Sequence, residues 1–129
     1  MVVFELTDEY VEQGRLFVKR LLESELTIEG AFWLYDGEAE RWKLKIATQQ
    51  AKEHGPKYVV TRLHQILNQY PEEYTELELI DISPIKPDNK TLGLLQYALG
   101  STDGIIEKRF RKRGVRAQYI EDALIYYLA

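Results

Sequence analysis

Apolar positions recur at three- and four-residue spacing near the start of the chain. Val11, Val18, Leu21 and Leu22 form a stripe with Phe17 beside it, and Glu12, Arg15, Lys19, Arg20 and Glu23 take the other side. Thr7 offers a capping hydroxyl, and Asp8 and Glu9 complement the positive end of a helix dipole, so a helix is predicted over residues 8–24. Gly14 costs about 1 kcal/mol relative to alanine inside a helix, which predicts a close neighbour there. Residues 28–35 (IEGAFWLY) are short, aromatic and β-rich, and Asp36-Gly37 marks a turn. The next run, 41–48 (RWKLKIAT), alternates, with Trp42, Leu44 and Ile46 on one face and Arg41, Lys43 and Lys45 on the other. Together these runs predict a β-hairpin, with Trp33 and Trp42 as core anchors.

Gly55-Pro56 opens a second helix, striped by Val59, Leu63, Ile66, Leu67 and Tyr70 and stopped by Pro71. The stretch 48–54 before it fits either a strand end or a short helical turn. Residues 77–82 (LELIDI) read as a third strand whose alternation slips between Leu79 and Ile80, and 83–87 (SPIKP) as a rigid loop. Asp88 is expected to cap a third helix with Leu92, Leu95 and Leu99 inward and Gly100 as its stop. A final hairpin is expected from strands 105–110 and 115–128 around a turn at 111–114, with a bulge or bend at Glu121-Asp122. The order α-β-β-α-β-α-β-β predicts an α+β fold, residues 1–129 forming a single globular domain. Its sheet is expected to be five-stranded, mixed or antiparallel, with helices mainly on one face.

The 129 residues are 45% hydrophobic and 29% charged, enough for one sizeable core. The absence of cysteine excludes disulfides, thiolate metal sites and a cysteine nucleophile. No apolar run approaches the roughly 20 residues of a membrane span, and the acidic N-terminus does not fit a signal peptide. A cytoplasmic location, no membrane association and no cofactor are therefore expected. The net charge of −4 conceals an asymmetry. Six cations and no acid occupy residues 108–116 (KRFRKRGVR), which leaves eleven basic residues against twenty-one acidic ones, or −10, elsewhere.

That basic segment is the leading candidate site: Lys108, Arg109, Arg111, Lys112, Arg113 and Arg116. Arginines at a hairpin tip can grip phosphates bidentately, and Phe110 and Tyr119 beside them can stack on bases. Arg41, Lys43 and Lys45 would broaden the positive surface if they shared its face. The bland alternatives are a charged tip that blocks edge pairing and internal salt bridges to the acidic remainder. A second constellation joins Asp81 with Glu121 and Asp122, as carboxylates for acid/base work or a divalent metal in a small hydrolase or nuclease-like enzyme. The competing reading pairs Glu121 and Asp122 with Arg109, Arg111 or Arg116 across the hairpin. His54 precedes a helix start and His64 sits at a stripe boundary, neither with a visible catalytic partner. Tyr126-Tyr127 should point to opposite faces of the closing strand, where one could serve a homodimer interface. The chain contains no GxxxxGK[ST], GxGxxG, HExxH or GxSxG sequence.

The segments Ala31-Phe32-Trp33, Gly55-Pro56, Asp81-Ile82 and 119–126 (YIEDALIY) resemble a group of small bacterial proteins of unassigned function. These share an AFW hairpin, a GP-initiated helix and a YIEDA-type closing strand. The resemblance implies no catalytic residue, only that the closing strand is a shared structural element. The sequence thus leads to a small binding or interaction module, possible as a homodimer. It would meet a polyanion such as nucleic acid, or an acidic protein surface, through its basic hairpin. The alternatives are the metal-dependent enzyme and a structural oligomer subunit.

Overall fold

The computed structural model describes residues 2–115 and 118–129, apart from the side chains of Lys112, Arg113, Val115 and Gln118. The fold is α+β. Helix α1 (Asp8–Glu23) leads into the hairpin β1 (Ile28–Asp36) and β2 (Arg41–Thr48). The short α2 (Gln49–Glu53) and the longer α3 (Pro56–Gln69) follow. A 3₁₀ turn (Leu79–Asp81) then enters β3 (Ile82–Ile85), and α4 (Lys90–Leu99) precedes the hairpin of β4 (Lys108–Val115) and β5 (Gln118–Leu128). The strands form one mixed sheet in the order β3-β2-β1-β5-β4, antiparallel except for the parallel β2–β3 pair.

Local chemistry explains the helix boundaries. The Thr7 hydroxyl accepts from the Tyr10 N–H, and Thr48 does the same for Ala51, so α2 starts where β2 ends. Gly55, at φ 86°, makes the left-handed step that lets Pro56 begin α3. The cap of α4 is Asn89, whose side chain accepts from the Leu92 N–H at 3.1 Å, and not Asp88 as expected.

Alternation along the central strands divides the core in two. Ala31, Trp33, Leu44, Ile46, Leu124 and Tyr126 pack with Phe17, Val18 and Leu21 of α1 and Val59, Leu63 and Ile66 of α3. Phe32, Ala47, Phe110, Ala123 and Ile125 pack instead with Leu92, Leu94 and Leu95 of α4. Both tryptophans are buried, Trp33 fully. The close neighbour predicted at Gly14 is present: a Cβ there would lie 2.6 Å from the Tyr126 hydroxyl and 2.8 Å from Trp33 Nε1.

Five expectations are corrected, the rigid loop at 83–87 among them, since residues 83–85 belong to β3. Residues 77–82 do not form a strand. Leu79–Asp81 coil into the 3₁₀ turn, and the strand begins at Ile82 and runs through Pro84. Proline is tolerated because β3 is an edge strand with one neighbour, β2. The closing hairpin turns later than expected, so Arg111 to Gly114 are paired in β4, opposite Asp122 to Tyr119. The bulge lies elsewhere: the β4–β5 offset is the same on either side of Glu121, whereas Ala31 pairs with Tyr127 and Phe32 with Ile125, leaving Tyr126 extra. That extra residue turns both Tyr126 and Tyr127 toward the α1 side instead of to opposite faces.

Candidate functional site

Lys108, Arg109, Arg111, Lys112 and Arg113 lie along β4, an edge strand of the sheet, and not at an isolated loop tip. Arg109 is held internally. Its Nε and a terminal nitrogen donate to the two Asp122 carboxylate oxygens at 2.6 and 2.7 Å, and its guanidinium lies 5.2 Å from the Trp42 ring. The hydrogen bond to Asp122 raises the Arg109 pKa above its ordinary value, so the charge is permanent. Arg111 is different. Its Nε is 3.7 Å from Asp122, but 63% of its side chain is exposed. An ion pair of that kind is worth about 0–1 kcal/mol, little enough for the guanidinium to swing to another anion. Lys108 is exposed and makes no ion pair among the described residues. The side chains of Lys112 and Arg113, and the whole of Arg116, lie outside the described residues. Phe110 is 2% exposed and packs with the α4-side core, which corrects its expected stacking role; Tyr119, at 65%, is free to stack.

Arg41, Lys43 and Lys45 share the face of β2 opposite Trp42, whereas Arg109 and Arg111 meet Asp122 on the Trp42 side, so the three do not broaden the surface of those arginines. The three line a groove of about 690 Å³ together with Leu34, Thr91 of α4, and Tyr119 and Glu121 of β5. Lys43 Nζ donates to the Ile80 carbonyl at 2.6 Å, and a terminal nitrogen of Arg41 reaches the same oxygen at 3.2 Å. Burial pushes the pKa of Lys45 below the usual lysine range, and the Asp36 carboxylate opposes that shift. Acids line the groove too. Asp36 is engaged with the N–H groups of Glu38 and Ala39 at 3.0 and 3.3 Å, and Glu121 lies against Gly37. A smaller depression of about 520 Å³, lined by Tyr35, Trp42, Arg111, Glu121 and Asp122, shares Tyr35 and Glu121 with the groove. The groove lies on the α4 face of the sheet and the depression on the Trp42 face, with Tyr35 and Glu121 lining both. Only half of this surface was signalled by sequence; the groove needed the spatial order that brings β5 beside β1.

The carboxylate constellation does not assemble. Asp81 sits at the entry to β3, and β2 and β1 separate that strand from β5. Three strand spacings put it roughly 14 Å from Glu121 and Asp122. Asp81 is fully buried, accepts from the Glu78 N–H at 2.9 Å, and has its pKa raised by burial, while Asp122 is occupied by Arg109. Among the described residues no three His, Cys, Asp or Glu side chains are grouped to hold a metal ion. His64 is exposed and meets Asn68 at 3.1 Å; His54 lies 4.8 Å from the Tyr58 ring, in a depression with Glu25 and Arg62. Among the described residues no helix is long and apolar enough to cross a membrane. No family model, curated protein or solved structure matches this chain.

Proposed function

We propose that the chain is a binding module that captures a polyanion on the β4–β5 ribbon. Arg109 serves as an internal brace, and Lys108, Arg111, Lys112, Arg113 and Arg116 are the contacting cations. The observation that carries this reading is the placement of Arg111. It stands on an edge strand, largely exposed, and shares its acid with an arginine that already donates to both carboxylate oxygens. A charged edge that merely resists strand pairing needs only a lysine or two. Here four of the six cations are arginines, whose planar fork suits phosphate and carboxylate groups. The rest of the chain carries −10, so non-specific attraction over the whole surface is suppressed and the ribbon supplies the steering.

The test is polyphosphate binding, followed by fluorescence anisotropy over a salt series, for the wild type and the double variant Lys108→Glu/Arg111→Glu. Both residues are exposed, so the thermal unfolding midpoint should hold. Affinity at low salt should fall by a factor of about ten or more. The slope of log affinity against log salt should flatten by about one for each phosphate that the variant no longer neutralises. Unchanged affinity and slope in a folded variant would overturn the reading.

A further inference from the structure

We propose that the polyanion is single-stranded nucleic acid. The groove between β2, α4 and β5 seats it, with backbone phosphates on Arg41, Lys43 and Lys45 and a base against Tyr119. This deepens the polyanion reading and rests on it.

Two observations converge. First, Lys45 is half-buried on the groove wall and makes no hydrogen bond or ion pair among the described residues, although burial disfavours its charge. An anion in the groove would supply the missing acceptor. Second, Tyr119 lines the same groove and is 65% exposed, an aromatic face beside a cationic wall, the pairing that lets bases stack while phosphates are neutralised.

The groove also discriminates. A duplex keeps its bases stacked inside and cannot present one to Tyr119. Inorganic polyphosphate has no base to set against Tyr119. Carboxylates can accept hydrogen bonds from the amino groups of bases, so the acids of the groove, Asp36, Glu38 and Glu121, are compatible with a nucleotide. Thr91, in the first turn of α4, adds a hydroxyl to the groove lining.

The experiment compares a short labelled single-stranded DNA of mixed sequence, its duplex and polyphosphate against wild type, Lys45→Met and Tyr119→Ala. Thermal unfolding confirms that each variant is folded. Methionine keeps the apolar stem of Lys45, and Tyr119 is exposed, so the two variants do not share a folding risk. The wild type should prefer the single strand to the duplex by about tenfold. Each variant should bind the single strand about fivefold or more weakly, the low end of one stacking interaction, while polyphosphate binding stays within about twofold. Wild-type affinity of both variants for the single strand would overturn the groove as its seat and leave the ribbon reading standing. Failure of the ribbon reading is seen separately, in the polyphosphate assay of Lys108→Glu/Arg111→Glu.

Discussion

At the scale of single residues, Gly14 is the most constrained position. Trp33 Nε1 donates to the Tyr126 hydroxyl at 2.9 Å, and that hydroxyl donates to the Val11 carbonyl at 2.6 Å, so the pair lies flat against α1 where Gly14 leaves room. Gly14→Ala gains about 1 kcal/mol in helix propensity but forces apart two buried rings. A net loss of about 1–3 kcal/mol in urea unfolding, with a changed Trp33 emission, is expected. Equal or greater stability would mean the rings move freely. This position was legible because a helix-breaking residue in a strong amphipathic stripe calls for a packing reason. Asp81 was not. Its burial depends on the 3₁₀ turn, which folds its Oδ2 back onto the Glu78 N–H and leaves Oδ1 buried without a partner. Its raised pKa means the folded state favours the proton, so the stability tied to protonation is lost as pH rises through that raised value. Asp81→Asn should therefore gain about 1 kcal/mol over wild type at pH 7. The gain should shrink as pH falls toward 3.8, the ordinary aspartate value. A pH-independent difference in urea midpoints would contradict the burial cost.

At the scale of elements, the parts with strong periodicity were legible and those decided by neighbours were not. α1 and α3 carry start signals and apolar stripes in the sequence itself, and they form within a residue of the predicted bounds. The β1–β2 hairpin follows from its turn and its alternation, which also placed Arg41, Lys43 and Lys45 on one face. The edge strand β3 depends instead on what lies beside it. Only its parallel pairing with Leu44 to Ala47 turns Ser83-Pro84-Ile85 into a strand, and no local pattern reports that pairing. The β4–β5 turn was placed too early for a related reason. Cations resemble loop residues in composition, but on an edge strand with one solvated side they are compatible with pairing, and Phe110 supplies the inward anchor. The shift leaves Tyr119, not Phe110, as the exposed aromatic of the hairpin.

At the scale of the whole molecule, the sheet is shared by two separate apolar layers, and that sharing governs how damage spreads. Leu63 on α3 and Leu95 on α4 are both fully buried, on opposite sides of the same strands. Because Trp33 and Phe32 are successive residues of β1, the strand cannot lose its backing on one face without altering its pleat on the other. Leu63→Ala and Leu95→Ala should each cost about 2–5 kcal/mol and still unfold in one transition. Tryptophan emission, which reports the α1 side through Trp33 and Trp42, should coincide with far-ultraviolet circular dichroism in both variants. Leu95→Ala carries a further consequence, since α4 holds Thr91 at the groove. A loosened α4 should weaken binding of single-stranded DNA beyond any change in Leu63→Ala at matched stability. Two resolved transitions in Leu95→Ala would instead make the α4 layer an independent unit, and the groove wall would then form without support from the opposite core.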